Sequence, residues 1–545
     1  MRPPSGPTAH VDHFVSDRLP GSAIAPEVLW DAELLPYPDR LNCGAELLDE
    51  QVAAGRGDRP CLIDAAGTVL TYADVLERAN RLASALTDGH GLVPGNRVLL
   101  RGPNCPWLAV CWLAVQKAGL VAVATMPLLR AGELAAVIER GQVNLALCDS
   151  RYLDELLAVA TTTTTAAMPA GVAVVAFGPG TELESAMDAA TGRFTNCDTA
   201  ADDPCLIAFT SGTTGQPKGC VHLHRDVLAI ADTFSAHYIC PTEDDVFIGS
   251  PPLAFTFGLG GLVVFPLRAG ASAVLLEAAS PPLLAEAIER HRATVVLTAP
   301  TAYRAMLDRV AGLDLSSLRV AVSAGEPLPP GTRQRFQDAT GLRLVDGLGA
   351  TEMLHVFIAA KGDDIREGAI GTAVPGFVVT VIDEAGSELP PGAIGRLAVK
   401  GPTGCRYLDD ARQTNYVQRG WNLPGDSVLR DEDGYIWYQA RADDMIISAG
   451  YNIAGPEVEG ALLTHDAVAE CACVGVPDEE RGMLVKAFVV PREGVVASAE
   501  LAAELQAHVK ATIAPYKYPR LIEFRTELPK TATGKLQRFK LREAD

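Results

Sequence analysis

The chain has 545 residues, 48% hydrophobic and 21% charged, with a formal net charge of −21, the composition of a folded protein and not of a disordered one. That length exceeds what one hydrophobic core holds and points to several structural units. Acidity on this scale, with no basic run of any length, argues against nucleic acid phosphates and anionic membrane surfaces as partners.

The amino-terminal stretch "MRPPSGPTAHVDHF" carries prolines and lacks the apolar segment of an export signal, so a cytoplasmic protein is expected. From Leu70 the pattern alternates. "LTYADVLERANRLASAL" has helical spacing, "NRVLL" reads as a strand, "PWLAVCWLAVQKAG" as a buried helix opened by Pro106, and "LVAVAT" as another strand. Ala160 to Gly171 is low in complexity and reads as a surface loop. The charge-free stretch Gly249 to Leu267 is broken by Pro and Gly, which predicts strand and turn instead of a membrane-spanning helix.

The strand–helix–strand punctuation returns in "LLAEAIERHRATVVLTAP" and "LRVAVSAGEPLPPGTRQRFQDATGLRLVDGLG". A parallel sheet covered by helices is the expected core. After Val374 short strands and turns predict a small antiparallel or barrel-like subdomain. The last hundred or so residues hold strands "VAECACVGV" and "VKAFVV" and a helix near "AELQAHVKATI". The fold class is α/β: a large N-terminal domain of βαβ-type subdomains with a small barrel-like subdomain, residues 1–441, and a small α+β C-terminal domain, residues 442–545. The twelve cysteines, scattered from Cys43 to Cys473, form no CxxC pair and have no His-rich companion. Buried reduced thiols, not a zinc site or disulfides, are expected.

The strand "CLIAFT" runs into "FTSGTTGQPKG", Phe209 to Gly219. Such residues offer little apolar area, and the glycines cost backbone entropy, so stability does not account for them. Their backbone N–H groups, the hydroxyls of Thr210, Ser211, Thr213 and Thr214, and the cation of Lys218 suit a phosphate. A Walker A loop needs a hydroxyl directly after its lysine to hold magnesium, and Gly219 stands there instead.

This loop resembles the phosphate loop of the adenylate-forming superfamily, which contains acyl- and aryl-CoA synthetases, luciferases and nonribosomal adenylation domains. "DGLGATE" (Asp346 to Glu352), Gly425-Asp426, "RADDMI" (Arg441 to Ile446) and "PKTATGK" (Pro529 to Lys535) match further core motifs in order, so the resemblance covers roughly residues 40 to 545. It implies ATP, Mg²⁺ and CoA as cofactors and a mobile C-terminal domain. Thr210, Ser211, Gly212, Thr213, Thr214, Gly215 and Lys218 would hold phosphates, Thr351 the α-phosphate and Glu352 the metal. Gly325, Glu326, Asp346 and Gly347 would line the nucleotide site, and Asp426 and Arg441 would hold the ribose. Lys535 is the implied adenylation lysine, Asp443 the hinge, and Gly450 and Tyr451 with Phe255 the route of the CoA thiol.

For the acid, "PPLAFTFGLGG" matches the family's aromatic gate segment, and "ATEMLHVF" resembles benzoate and aminobenzoate CoA ligases. Phe255, Thr256, Phe257, Gly325, Leu348, Gly349 and His355 are the implied aryl pocket. Thr256 departs from the small apolar residue expected in benzoate ligases and brings a hydroxyl near the ring. That favours 2-aminobenzoate (anthranilate); unsubstituted benzoate, or an aryl adenylation enzyme loading a carrier protein, stays open. The partners expected are an aryl carboxylate and CoA, with a homodimer compatible. Lys218, Glu352 and Lys535 together speak against a non-catalytic adenylate-binding protein, and nothing indicates a luciferin pocket.

Overall fold

Local chemistry sets the helices. Thr71 Oγ1 accepts from the Asp74 N–H while the Asp74 carboxylate accepts from the Thr71 N–H, a reciprocal cap that starts the helix Tyr72–Ser84. Pro106 opens Pro106–Lys117, where its missing N–H costs nothing. That helix is buried on nearly every face, as its unbroken apolar sequence requires. A computed structural model describes residues 2–162, 172–210, 217–307, 312–441, 445–448, 451–478, 481–513, 515–530 and 536–542.

The α/β expectation holds, but the parallel core is two sheets. In the nine-stranded sheet the strands Val345–Gly349, Val320–Ala324, Val295–Thr298, Val246–Gly249, Ser272–Leu275 and Pro60–Asp64 run parallel in that spatial order, with antiparallel strands at both edges. The second sheet is six-stranded, in the order Ala173–Phe177, Leu145–Asp149, Arg97–Arg101, Val121–Thr125, Pro204–Thr210, Lys218–Leu223. Its last two strands form an antiparallel hairpin, with Thr210 opposite Lys218. The strand after the phosphate-type segment therefore pairs back on the strand before it.

A third, antiparallel sheet of six strands spans Val378 to Arg441, the small subdomain expected after Val374. Beyond it stand the hairpin Met445–Ser448 with Tyr451–Ala454 and a three-stranded sheet packed with the helices Gly455–Leu463 and Ala499–Thr512. Residues 442–444, where the domain boundary and hinge were expected, lie outside the described residues. So do 163–171, most of the low-complexity run.

The stretch Gly249 to Leu267 is corrected. After the strand Val246–Gly249 the chain turns helical from Thr256 to Ala269, with a wider π-type turn over Gly260–Val264. Its glycines serve close approach: a Cβ on Gly258 would lie 2.1 Å from the Pro252 carbonyl oxygen, and one on Gly261 would lie 2.7 Å from the Leu297 side chain. Among the described residues no helix is long and apolar enough to cross a membrane.

Behind the hairpin, the wholly buried Asp226 accepts from Arg406 Nη1 at 2.9 Å and from the Leu223 N–H at 3.2 Å, tying the helix His224–Ile230 to the segment before Tyr407. Removing one partner of a buried ion pair leaves the other charge uncompensated. Asp226→Ala should lower the unfolding free energy by about 3–5 kcal/mol. Urea unfolding followed by circular dichroism checks this, and an unchanged midpoint would contradict it.

Candidate active site

The hairpin, the turn beyond the nine-stranded sheet and the segment carrying Tyr407 meet at Glu352. Lys218 begins the second strand of the hairpin, Glu352 lies in the short turn Thr351–Met353 that follows the strand Val345–Gly349, and Tyr407 lies ahead of the third sheet's edge strand Val417–Gln418. Tyr407 Oη donates to Glu352 Oε1 at 2.5 Å and accepts from Lys218 Nζ at 2.9 Å. Lys218 Nζ and Glu352 Oε1 are 3.6 Å apart, and the ammonium lies 4.9 Å from the Tyr407 ring centroid, within cation–π range. Burial and the Glu352 carboxylate both push the Tyr407 phenol far above its ordinary pKa, so it stays a donor.

The hairpin's alternation explains the contact. Lys218, Cys220 and His222 share one face of the strand Lys218–Leu223, and His222 Nε2 hydrogen-bonds the Thr351 carbonyl at 2.8 Å. The turn is thus held at Thr351 by His222 and at Glu352 by Tyr407. Sequence reading missed both residues. "GCRYLDD" and "VHLHRD" have no period or spacing that announces a role.

Glu352 is buried; Oε1 carries the Tyr407 bond, and no hydrogen bond to Oε2 occurs among the described residues. A carboxylate oxygen left available beside a phosphate-type loop is the hard donor that Mg²⁺ takes, so the residues fit that ion. Thr210 Oγ1, at the end of the first hairpin strand, is buried with no partner among the described residues. Ser211, Gly212, Thr213, Thr214 and Gly215 lie outside them.

The nucleotide candidates Asp426 and Arg441 sit directly opposite each other on adjacent strands, with Arg441 Nη1 donating to Asp426 Oδ1 at 3.0 Å. Gly425 before them has φ +85°, the left-handed region that favours glycine. Gly325, with φ +91° and open space where a Cβ would point, follows the strand Val320–Ala324. Glu326 Oε2 accepts from the Thr301 N–H at 3.4 Å. Burial raises the Asp346 carboxyl to about 7, with Arg333 acting against it from 3.6 Å; Gly347 next to it packs against Val356.

His355 lies three residues after Glu352 but faces other company. Its ring centroid is 4.6 Å from Phe265, 5.4 Å from Phe234 and 5.5 Å from Phe257. Leu354 between them has φ +67°, a costly conformation for a branched residue. A Cβ on Gly260 would meet His355 Cδ2 at 2.5 Å, and one on Gly349 would meet its carbonyl oxygen at 2.7 Å. Burial lowers the His355 imidazole to about 3 against a weak opposing hydrogen bond to the Phe257 backbone, and neither ring nitrogen makes a hydrogen bond of good geometry among the described residues. Thr256 is buried beside the half-exposed Phe255 and Phe257, and Leu348 precedes Gly349 on its strand. Of the implied pocket the structure brings Phe257, Gly349 and His355 together. Lys535, Asp443 and Gly450 lie outside the described residues, while Tyr451 opens the strand Tyr451–Ala454.

A family model described as AMP-binding enzyme matches residues 48–406, and one described as AMP-binding enzyme C-terminal domain matches residues 457–535. The chain belongs to the AMP-binding enzyme family. This AMP-binding enzyme is 38% identical over 524 residues to the benzoate–CoA ligase of Thauera aromatica, covering 94% of this chain and 97% of that one. It is 32% identical over 526 residues to the 3-hydroxybenzoate–CoA ligase of Aromatoleum sp. (strain CIB), covering 93% and 99%. The crystal structure of an anthranilate CoA ligase in complex with anthranoyl-AMP superposes with a TM-score of 0.88 at 32% identity, covering 94% of this chain and 99% of that one. The motif reading of an adenylate-forming, AMP-forming acid–thiol ligase stands.

Tyr407→Phe keeps the ring and removes one hydrogen bond to a charged group, worth about 1.5–3 kcal/mol. Acid-dependent pyrophosphate release from ATP should fall by about tenfold to a hundredfold in kcat/KM, with the fold unchanged by circular dichroism. Wild-type turnover would show that Tyr407 does not position Glu352.

Proposed function

We propose that the chain is an ATP-dependent aryl-CoA ligase whose preferred acid is a ring-substituted benzoate, 2-aminobenzoate first. The observation that carries the reading is His355: a neutral imidazole enclosed by Phe234, Phe257 and Phe265, with the Phe257 backbone within reach of one ring nitrogen and no partner for the other. Aromatic walls favour a flat ring. A buried polar group without a partner favours the ligand that supplies one. An amino group beside the carboxylate does so, and benzoate does not. Thr256, one residue before Phe257, is the second polar candidate. Relatives named for benzoate, 3-hydroxybenzoate and anthranilate support the same substrate range.

The reaction has two halves. A carboxylate oxygen of the acid attacks the α-phosphorus of ATP and pyrophosphate leaves; the CoA thiol then attacks the acyl carbon and AMP leaves. Lys218, Thr210 and the loop residues Ser211, Gly212, Thr213, Thr214 and Gly215 bind the phosphates, and Thr351 donates to the α-phosphate. Asp426 accepts the ribose hydroxyls, with Arg441 holding its orientation, while Gly325, Glu326, Asp346 and Gly347 form the remaining nucleotide wall. Glu352 holds Mg²⁺, which when bound offsets charge on the phosphate oxygens. Lys535 bridges carboxylate and phosphate in the first half. Residues 442–545 then turn about Asp443, so that Phe255, Gly450 and Tyr451 border the thiol's path. A cytoplasmic setting, where ATP and CoA are available, goes with this chemistry.

A panel of aryl acids assayed for thioester formation tests the substrate. Wild type should favour 2-aminobenzoate over benzoate by about tenfold to a hundredfold in kcat/KM, and His355→Phe should abolish most of that gap while sparing benzoate. His355 ionises only near pH 3, so the preference should not change between pH 5 and 8. Its linkage has the opposite sign to a salt-bridged histidine's. Because the unfolded chain binds the proton more readily, stability is present above the ordinary histidine value of 6.5 and lost as pH falls toward about 3. A wild-type preference for benzoate would overturn the anthranilate reading.

A further inference from the structure

Beside the junction of Lys218, Tyr407 and Glu352 stands a second tyrosine that the reaction outlined above leaves unused. Tyr416 ends the short helix Gln413–Tyr416, and its ring packs edge-on against Tyr407, with centroids 5.7 Å apart and planes at 74°. The residue is buried, at 8% exposure, and its hydroxyl has no hydrogen-bond partner among the described residues. A buried O–H left unbonded forfeits the hydrogen bonds that water gave it, and native chains keep few such groups.

The backbone around this hydroxyl is fixed. Gln413 Oε1 accepts from the Tyr407 N–H at 2.9 Å, Gln413 Nε2 donates to the carbonyls of Ile24 at 2.9 Å and Cys405 at 3.1 Å, and the Tyr416 carbonyl accepts from the Leu423 N–H at 2.7 Å. These bonds tie the helix to the segment that brings Tyr407 to Glu352. Burial first, then the Glu352 carboxylate, push the Tyr416 phenol well above its ordinary range, and the same phenol acts on Arg441. Tyr416 therefore lies within electrostatic reach of the carboxylate suited to Mg²⁺ and of the arginine paired with Asp426. At neutral pH it has a proton to donate.

We propose that Tyr416 is a further nucleotide-binding residue, its hydroxyl donating to an oxygen of the ATP phosphate chain between Glu352 and the pair Asp426 and Arg441. The assignment rests on the reading of the Glu352 junction as the nucleotide centre. Lys218 and Tyr407 are already engaged with each other and with Glu352, whereas the Tyr416 hydroxyl is uncommitted. Thr210 Oγ1, placed above among the phosphate donors, is unpartnered in the same way. A phenol that keeps its proton is matched best by an anionic oxygen, the stronger acceptor, and Asp426 already serves the ribose hydroxyls. In sequence Tyr416 is one aromatic within "RQTNYVQRG", with no spacing that sets it apart.

Tyr416→Phe removes the hydroxyl and keeps the ring. Calorimetric titration of the full-length protein with MgATP, in the absence of any acid, should show affinity weakened by about tenfold to a hundredfold, the loss expected for one hydrogen bond to a charged group. Affinity for adenosine, which has no phosphate, should stay unchanged. Because the hydroxyl bonds nothing in the free chain, the variant without nucleotide should melt no lower than wild type. Wild-type MgATP affinity in Tyr416→Phe would overturn the assignment. So would an equal loss toward adenosine, which moves the contact to the ribose, or a lowered melting temperature without nucleotide, which gives the hydroxyl a partner within the fold. Glu352→Gln in the same titration separates this assignment from the reading beneath it. MgATP binding that neither variant weakens overturns the junction as nucleotide centre, whereas binding weakened by Glu352→Gln alone overturns only the role of Tyr416.

Discussion

The hydrogen bond from Tyr407 to Glu352 is the point on which the rest of the site is built. Two sheets and a connecting segment contribute to the contact: Lys218 from the hairpin, Glu352 from the turn beyond the nine-stranded sheet, and Tyr407, whose backbone bridges to Cys220 of the hairpin. Lys218 and Glu352 form an ion pair at 3.6 Å, longer than a direct hydrogen bond. The phenol bonds both partners, donating to the carboxylate and accepting from the ammonium, and so fixes the geometry of the pair. Because the phenol's own pKa is driven up by burial and by that carboxylate, Tyr407 keeps its proton and its role as donor.

The same turn separates two environments within four residues. Glu352 faces hydroxyl and ammonium; His355 faces three aromatic rings. Leu354, at φ +67°, reverses the chain between them, and strain of this kind persists only where surrounding structure imposes it. Polar chemistry and the apolar wall are thus adjacent without mixing. That adjacency is what joining a flat carboxylic acid to a nucleotide phosphate requires, since the reacting atoms must meet while their carriers need opposite surroundings.

Much of this was legible before folding. The apolar strands, the Pro106-led helix and the change of pattern after Val374 follow from periodicity and turn chemistry, and the motifs about Asp346, Asp426 and Arg441 pointed to residues that the fold places at sheet ends. What was not legible has a common cause. Tyr407 meets Glu352 across 55 positions and Lys218 across 189, so no local pattern marks it. His222 is one polar residue in a strand whose other face is core. The helix Thr256 to Ala269 was read as strand and turn because Gly and Pro were taken for breakers. Gly258, Gly260 and Gly261 are instead demanded by neighbours too close for a Cβ, a packing constraint invisible along the chain.

The central claim is that the junction of Lys218, Tyr407 and Glu352 is the adenylation centre. Acid-dependent ATP–pyrophosphate exchange by Glu352→Gln tests it most directly, with thioester formation from synthetic aryl-AMP measured beside it. The account predicts that exchange falls at least about a hundredfold, as expected when a charge-stabilising group is lost, while thioester formation from the adenylate stays within a few-fold of wild type. Undiminished exchange, or equal loss of both activities in a folded variant, would contradict it.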